Sequence, residues 1–339
     1  MNIPVRKIIL IPLIFISAFI QLTAAASVNS PVSKSDSKPS WVISKNLIFS
    51  KSGEAKNKLI KTLIRKLESF NGSGSRVTKE EFIALLEREE VKTSYPEVLV
   101  RYATPESEEI TKTEHTRFLE IHLKENNIIR GIDFLRSNDK WLAEAEKKYG
   151  VLKQDLVSLF EWECGLGRVT GSYNPFIVLL SQVLFLNDAQ KYAVNEIVKK
   201  GEVNPFNNSA VREKEKRRIE KRKLIALDAF VSLLRNCKQF NLDPLLQKSS
   251  WGGALGYVQF MPNNFKYGID ADGDGNVDLW TWPDAIFSAA NFLKQKGKYA
   301  ADYQSRKRAF YKYNPSTEYA EGIVIYADEI WKRYIGIRN

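Results

Sequence analysis

A single glutamate that precedes a glycine-rich turn is the first feature of this chain whose residue types suggest catalysis. Glu163 opens the run E-C-G-L-G-R-V-T-G. Upstream, Leu156, Leu159 and Phe160 recur at helical spacing. Glu163 continues their apolar stripe, whereas Glu161 lies about 200° away around the helix and should face elsewhere.

This predicted position favours a proton on the carboxyl group of Glu163. Burial on an apolar stripe and the nearby helix C-terminus both oppose a negative charge, so we expect a raised pKa. A raised pKa is what a general acid working near neutral pH requires. The alternative is that the helix end frays and Glu163 lies in solvent.

A second run combines glycines, aromatic residues and an amide in a pattern that suits neither a regular helix nor a strand. It reads S-W-G-G-A-L-G-Y-V-Q-F-M-P from Ser250 to Pro262, and no carboxylate lies between Asp243 and Asp270. Glycines allow the backbone to approach a ligand closely, and aromatic rings beside an amide suit sugar faces and hydroxyls. The alternative is a tight packing corner.

An acidic loop follows, with side-chain oxygens at alternate positions and Gly275 at a sharp turn. This spacing matches the first nine positions of an EF-hand loop and predicts a calcium site with a structural role. Thr281 stands at position twelve, where an EF-hand has a glutamate. An acidic surface turn is the alternative. The predicted ligands are Asp270, Asp272, Asp274, Asn276 and Asp278.

Together these motifs resemble the lytic murein transglycosylase B family. The matching patterns are E-x-x-x-G-R-V-x-G, S-x-x-G-A-x-G-Y-x-Q-F-M-P, the D-x-D-x-D-G loop ending in Leu-Trp, and Y-N-x-S-x-x-Y-A at Tyr313–Ala320. They occur in the family's order across about residues 55 to 335. The resemblance implies a lysozyme-like catalytic domain. It also implies that Asp284 is a calcium ligand in place of the glutamate that an EF-hand has at position twelve.

The resemblance also implies a reaction on peptidoglycan. A single glutamate, here Glu163, would protonate the glycosidic oxygen between N-acetylmuramic acid and N-acetylglucosamine. It would then act as the base that activates the C6 hydroxyl, which gives a 1,6-anhydro product. The substrate-binding residues implied in the same way are Ser250, Tyr257, Gln259, Phe260, Met261, Tyr313, Asn314 and Arg218, the last gripping a peptide or lactyl carboxylate.

Several alternatives and departures accompany this interpretation. Phe260 and Met261 suit core packing almost as well as substrate contact. The chain could instead be a non-catalytic peptidoglycan-binding protein of the same fold, or a muramidase that uses water. Relative to the family, residues Asn187–Lys216 form an insertion before a helix expected at Arg217–Phe240, and Lys296–Arg308 is shorter than usual.

The N-terminal sequence predicts export. Residues 1–26 have Arg6 and Lys7, an apolar run containing Pro12 and a small-residue cleavage site, so we interpret them as a signal peptide rather than a membrane anchor. No cysteine lies near this site, so a lipoprotein is not expected. We therefore predict a periplasmic or otherwise exported protein without a stable membrane span, and a disordered linker at 27–41.

Charge and cysteine content bear on partners. The 51 basic residues, less Arg6 and Lys7, exceed the 40 acidic residues by nine. In an exported protein, this excess favours an anionic wall polymer over nucleic acid. Two cysteines, Cys164 and Cys237, could form a disulfide or remain as two buried thiols. The sequence does not identify protein partners, and its two histidines argue against zinc.

Apolar periodicity predicts an α-dominated fold, either all-α or α+β with minor strands. Leu59 to Leu67 form one helical stripe, and Thr78 with Glu81 forms a capping box. Helical patterns also cover Ile121–Leu135 and Trp141–Tyr149, the latter capped by Ser137, Asn138 or Asp139. We expect an N-terminal helical region at 42–140 and the catalytic domain at 141–339.

Overall fold

Helices form almost all of the regular structure in the computed structural model, which describes residues 40–69, 75–92, 94–105 and 117–338. The predicted signal peptide and most of the predicted linker lie outside these residues. The predicted α-dominated class is confirmed. Within the described ranges, β structure is limited to three isolated bridges: Phe49 with Ala55, Tyr173 with Ser249, and Leu255 with Phe260.

Within the described residues up to 105, four short helices build the N-terminal part, and capping side chains mark the start of two of them. The side chain of Asn57 accepts the Ile60 N–H at 2.9 Å. Thr78 and Glu81 form the predicted capping box, in which each side chain accepts the backbone N–H of the other residue. The helices are α1 Lys45–Ile48, α2 Lys58–Glu68, α3 Lys79–Leu86 and α4 Pro96–Ala103, with a 3-10 turn at Glu89–Lys92.

The single helix predicted from Ile121 to Leu135 is wrong: the chain forms two helices there. Residues 117–122 are helical, and a new helix begins after Lys124, whose backbone is extended. The Asn127 amide donates to the Ile121 carbonyl at 2.6 Å, which links the two helices across the break. The following helices are α5 Glu125–Ser137, α6 Asp139–Tyr149 and α7 Lys153–Cys164.

Asn138 is the N-cap of α6 by position, as predicted, but its side chain makes no capping hydrogen bond. The Asn138 amide instead donates to the Phe134 carbonyl of the preceding helix.

A pair of long helices contains the predicted insertion. The helix expected at Arg217–Phe240 begins earlier, because the Asn208 side chain accepts the N–H groups of Ala210 and Val211 and the charged run continues the helix. The insertion therefore lengthens both helices and the turn between them. The helices are α8 Pro175–Lys199 and α9 Ser209–Gln239, joined through a 3-10 turn at Pro205–Asn207.

The C-terminal part returns to the core around α7. A 3-10 turn follows the glycine-rich run, and three helices complete the chain. In the described part of the chain, no helix is both long and apolar enough to cross a membrane. These elements are the 3-10 turn Pro262–Tyr267, α10 Trp282–Gln295, α11 Tyr303–Tyr313 and α12 Thr317–Arg338.

Two hydrophobic clusters fill the interior, and the glycine-rich run contributes to both. One cluster surrounds α7 with α5, α6 and α10 to α12, and includes Val258 and Phe260. The other joins the N-terminal helices to α8 and α9, and includes Leu255 and Met261. Both clusters draw residues from either side of position 140, and the domain boundary proposed there stays a prediction.

Candidate active site

Helix α7 positions Glu163 in the interior. The side chain is 2% exposed, which confirms the predicted burial and excludes fraying into solvent. The prediction of a single apolar stripe was too narrow, because every residue from Gln154 to Cys164 is buried. At the other end of the helix, Asp155 binds Arg306 through two hydrogen bonds of 2.8 and 2.5 Å, which anchors α7 to α11.

The turn after Glu163 has unusual backbone geometry. Gly165, Leu166 and Gly167 have φ angles of 56°, 54° and 86°, so three successive residues are left-handed. This conformation is strained for Leu166, and such strain is concentrated at functional sites. A side chain on Gly167 would approach Trp282 to 3.0 Å, so the turn also requires glycine for space. The Arg168 guanidinium donates to the Gly165 carbonyl at 2.7 Å and stabilises the turn.

The hydroxyl of Tyr319, on α12, donates a hydrogen bond to Oε1 of Glu163. Burial raises the pKa of Glu163 to about 8, although this hydrogen bond opposes the rise. Burial and the neighbouring Glu163 charge also hold the pKa of Tyr319 well above its ordinary value, so the phenol keeps its proton. Glu163 is thus mainly protonated at neutral pH, and Tyr319 stabilises the carboxylate when it forms.

Glu161 faces away from Glu163, as predicted, and contacts one buried imidazole and two partly exposed guanidinium groups. Its side chain is fully buried. Oε1 lies 3.2 Å from His122 Nδ1, 3.4 Å from an Arg130 nitrogen and 3.3 Å from an Arg168 nitrogen. These contacts tie the C-terminal end of α7 to neighbouring segments, because a buried carboxylate is stable only with charged or hydrogen-bonding partners.

The glycine-rich run forms a series of tight turns beside α7. A side chain on Gly256, which has a φ of 72°, would come within 2.3 Å of Leu279. Gln259 is also left-handed, with a φ of 48°, and its amide donates to the Gly256 carbonyl at 2.8 Å. Ser250 is 1% exposed, and its hydroxyl accepts the Ala254 N–H. The run therefore holds Ser250 and Gln259 in fixed positions.

Aromatic residues of the run and of α11 surround the end of α7. Tyr257 stacks on Trp282 with ring centroids 4.0 Å apart, and a side chain on Gly167 would come within 3.5 Å of the Tyr257 ring. The Tyr313 hydroxyl donates to the Val258 carbonyl, and the pKa of Tyr313 is raised by burial and then by Glu163. The structure thus brings Tyr257 and Tyr313 close to the Glu163–Cys164 end of the helix.

The remaining predicted substrate residues have mainly packing contacts. Phe260 and Met261 are 1% and 5% exposed and belong to the two different hydrophobic clusters. Asn314 is 3% exposed at the end of α11. The packing interpretation of Phe260 and Met261 therefore has direct support, whereas their contact with substrate stays a prediction.

Arg218 has the contacts of a helix cap. Its guanidinium donates to the carbonyls of Tyr102, Ala103 and Thr104 at the end of α4, and it pairs with Glu215 at 2.7 Å. These bonds use much of its donor capacity. Its predicted role in gripping a substrate carboxylate stays a prediction.

The acidic loop brings three of its predicted ligands together. Carboxylate oxygens of Asp270, Asp272 and Asp284 lie within 4.8 Å of one another. Asp284 is 1% exposed, and accepts the N–H groups of Ala271 and Asp278, each at 2.7 Å. Burial raises the pKa of Asp284, and the charges of Asp272 and Asp270 add to this effect. Convergent carboxylates with mutual repulsion fit a calcium ion.

The other predicted ligands lie on the same loop. Asp274 accepts the Asn276 N–H at 2.8 Å, and Asp278 accepts the Trp280 N–H at 2.9 Å. These bonds shape the loop around the three convergent carboxylates. Trp280 packs edge-on against Tyr257 with centroids 5.9 Å apart, so the loop also supports the aromatic wall beside α7.

Cys164 and Cys237 are both buried free thiols, which confirms the second of the two alternatives. They belong to different hydrophobic clusters. The Cys164 thiol donates to the Phe160 carbonyl and accepts the Gly167 N–H, so it packs the strained turn. Burial raises the pKa of Cys237 to about 12, and raises that of Cys164 as well, so neither thiol is a nucleophile near neutral pH.

Sequence reasoning missed one residue of the site, Tyr319. It lies in the C-terminal motif Tyr313–Ala320, which was noted for Tyr313 and Asn314 only. The helix cap at Ser316, whose hydroxyl accepts the Tyr319 N–H, fixes where α12 begins. That start places Tyr319 in the first turn of the helix, facing α7.

Comparison with known proteins gives consistent results. The family described as Transglycosylase SLT domain matches residues 69–309. Membrane-bound lytic murein transglycosylase B of Escherichia coli (strain K12) is 28% identical over 182 residues, which is 53% of this chain and 41% of that protein. The chain therefore matches about two fifths of the length of this curated relative.

Solved structures extend the similarity in fold to most of the chain. The Escherichia coli lytic transglycosylase Slt35 in complex with calcium has a TM-score of 0.60 at 18% identity, covering 86% of this chain and 98% of that one. A 36 kDa muramidase/transglycosylase has a TM-score of 0.59 at 18% identity, covering 83% and 96%. At these identities the similarity concerns the fold, which is the lysozyme-like arrangement predicted from the motifs.

Proposed function

Because the chain belongs to the transglycosylase SLT domain family, we propose that it is a lytic transglycosylase that cleaves peptidoglycan. The cleaved bond is the β-1,4 bond between N-acetylmuramic acid and N-acetylglucosamine, and the product ends in 1,6-anhydromuramic acid. The observation that supports this proposal most is the state of Glu163: buried, protonated at neutral pH and bonded to a phenol.

In the first step, Glu163 donates its proton to the glycosidic oxygen as the bond from that oxygen to C1 of the muramic acid breaks. A pKa of about 8 keeps this proton in place at neutral pH. The departing N-acetylglucosamine residue leaves with a 4-hydroxyl group. The carboxylate that remains accepts the Tyr319 hydrogen bond, which offsets part of the cost of a buried negative charge.

In the second step, the Glu163 carboxylate removes the proton from the C6 hydroxyl, whose oxygen then bonds to C1. Glu163 regains its proton, and no water is consumed. This route needs only one carboxyl group, whereas hydrolytic glycosidases use two that flank the bond. Among the described residues, Glu161 is the carboxylate nearest in sequence, and its contacts with His122, Arg130 and Arg168 commit it to a structural role.

The surrounding residues support sugar binding at this position. Ser250 and Gln259 offer a hydroxyl and an amide on rigid turns, and Tyr257 offers an aromatic face stacked on Trp282. Tyr313 and Asn314 complete the wall from α11. We propose that these groups orient the muramic acid residue, since fixed polar groups on rigid elements select one pose.

A structural calcium ion is part of the proposal. Asp270, Asp272 and Asp284 would hold the ion, and it would supply the positive charge that cancels the repulsion among these carboxylates. The Slt35 structure in complex with calcium is a related case with the same fold. The contact between Trp280 and Tyr257 would connect the ordered loop to the substrate site.

The basic charge and the predicted signal peptide support action on the cell wall outside the cytoplasm. Peptidoglycan carries carboxylates on its peptides, so a positive protein is attracted to it. The insertion at residues 187–216 and the short segment at 296–308 distinguish this chain from the family pattern. We expect both to affect which glycan strands are bound.

The test is a zymogram of purified peptidoglycan with the parent protein, Glu163→Gln and Glu144→Gln. Glu144 is an exposed glutamate on α6, so its variant makes the same chemical change away from the site. The proposal predicts clearing by the parent and by Glu144→Gln, but not by Glu163→Gln. Clearing by Glu163→Gln would contradict the role of this residue, and retention of the parent without clearing would indicate a binding protein.

A further inference from the structure

Three lysines surround an aromatic patch next to the candidate site. The Nζ atom of Lys296 lies 4.7 Å from the centroid of the Phe292 ring, and that of Lys266 lies 5.2 Å from the Tyr267 ring. These two rings pack edge to face with centroids 5.1 Å apart. Each ammonium group therefore has a cation–π contact that favours its position.

The third lysine, Lys312, precedes Tyr313 at the end of α11. The Tyr313 ring packs against Phe292 at 4.8 Å and against Phe260 at 5.9 Å, so the patch is continuous with the wall of the candidate site. Lys296 also contacts Asn264, with Nζ 3.4 Å from Oδ1, on the 3-10 turn that follows Met261. We call Lys266, Lys296 and Lys312 the basic rim.

The basic rim has an excess of positive charge. All three side chains are exposed, and within the described ranges no carboxylate lies at ion-pair distance from any of them. Although Lys296 is exposed overall, its contact with Phe292 partly desolvates the ammonium group. The pKa of Lys296 is lowered, mainly by this desolvation and to a smaller extent by the positive charges of Lys266 and Lys312. Three mutually repelling cations are stabilised by an anion.

We infer that the basic rim binds the carboxylates of the peptide stems that the glycan strand carries. This inference rests on the proposed function. The sugar residues themselves carry no free carboxylate that could bind the three lysines, because the lactyl carboxyl group of N-acetylmuramic acid is joined to the peptide as an amide. Free carboxylates are on the peptide. The rim adjoins Met261 and Tyr313, so a stem on a sugar beside Glu163 would extend over it.

The test compares two substrates that differ only in the charge of the stems: unmodified glycan strands with peptides, and the same strands after carbodiimide coupling to excess ammonia has converted the stem carboxylates to amides. The variant Lys266→Gln/Lys296→Gln/Lys312→Gln removes the rim. The control Lys51→Gln/Lys61→Gln/Lys147→Gln removes the same charge from exposed lysines elsewhere. Thermal melts verify that both variants are folded, and kcat/KM is measured for each protein on each substrate.

The inference predicts that the rim variant loses about tenfold in kcat/KM on the unmodified strands, through KM, because three exposed ion contacts are lost. It should match the parent on the amidated strands, and the control should retain most activity on both. An equal loss on both substrates, or an equal loss in the control, would overturn the inference.

If the proposed function is wrong, the experiment gives a different result from the one expected if only the inference about the basic rim is wrong. A parent protein that turns over neither substrate would contradict the lytic activity. Co-sedimentation with the same strands would then test the rim alone. Weaker binding of the rim variant than of the parent to the unmodified strands supports the inference, and equal binding of the two proteins overturns it.

Discussion

Replacing Glu163 with glutamine should stabilise the protein at neutral pH while it removes activity. The folded state raises the pKa of Glu163 from an ordinary 4.5 to about 8, so it binds the proton more tightly than the unfolded chain does. The free energy of unfolding therefore falls as the pH rises from 4.5 to 8. Below 4.5 the carboxyl is protonated in both states and this cost is absent.

The magnitude follows from the two pKa values. Each pKa unit corresponds to about 1.4 kcal/mol, so the cost is about 3 kcal/mol at pH 7 and about 5 kcal/mol above pH 8. Glutamine is neutral at every pH and can still accept the Tyr319 hydrogen bond, so the variant avoids this cost. A variant that loses activity but gains stability is expected when the replaced catalytic group destabilises the folded protein.

The assay is urea unfolding of the parent, Glu163→Gln and Glu144→Gln at pH 4, 5.5, 7 and 8. We expect the stability difference between parent and Glu163→Gln to be small at about pH 4 and to reach about 3 kcal/mol at about pH 7. The exposed control should differ little from the parent throughout. A difference that does not change between these pH values, or a Glu163→Gln variant less stable than the parent at pH 7, would refute the raised pKa.

Three further predictions concern Tyr319, the calcium loop and the thiols. Tyr319→Phe removes the hydrogen bond that lowers the pKa of Glu163, so the loss of activity at alkaline pH should move to higher pH. The kcat should also fall about tenfold to a hundredfold, because a hydrogen bond to a charged group contributes about 1.5–3 kcal/mol. Calcium at about 100 times its dissociation constant should stabilise the parent by about 2.7 kcal/mol, and Asp272→Asn should weaken this response in thermal melts. Cys164 and Cys237 should react with a thiol reagent only after unfolding, and mass spectrometry without a reductant should then count two modifications.

Each of these has an outcome that contradicts it. An unchanged pH profile in Tyr319→Phe would mean that the hydroxyl does not interact with the acid during turnover. Identical melting curves with calcium and with chelator would exclude a structural ion. If the unfolded protein shows no thiol modification before reduction and two modifications after it, Cys164 and Cys237 form a disulfide, which contradicts the prediction of two free thiols.

The sequence predicted those parts of the site that depend on local patterns. Helical spacing placed Glu163 on a buried helix, and the glycines after it indicated the turn at its end. The alternate acidic positions predicted the loop in which Asp270, Asp272 and Asp284 converge. For the helix, the turn and the loop itself, the determining interactions lie within a few residues, so periodicity or turn chemistry is enough, whereas Asp284 was implied only by the family resemblance.

The parts that could not be predicted depend on contacts between distant segments. Tyr319 is 156 residues from Glu163 in the chain, and only the packing of α12 on α7 brings them together. Helical spacing predicted only that Glu161 faces away from Glu163, and could not predict its partners His122 and Arg130, which lie on other helices. The capping role of Arg218 depends on carbonyls more than a hundred positions away.

The central claim is that one buried carboxyl group closes an anhydro ring without water. Its most direct test is mass spectrometry of the fragments released from purified peptidoglycan by the mature protein and by Glu163→Gln. The proposal predicts fragments one water lighter than hydrolysed muropeptides, released by the parent and absent with the variant. Fragments that carry a reducing end would contradict the claim, because they require a water molecule and a second base.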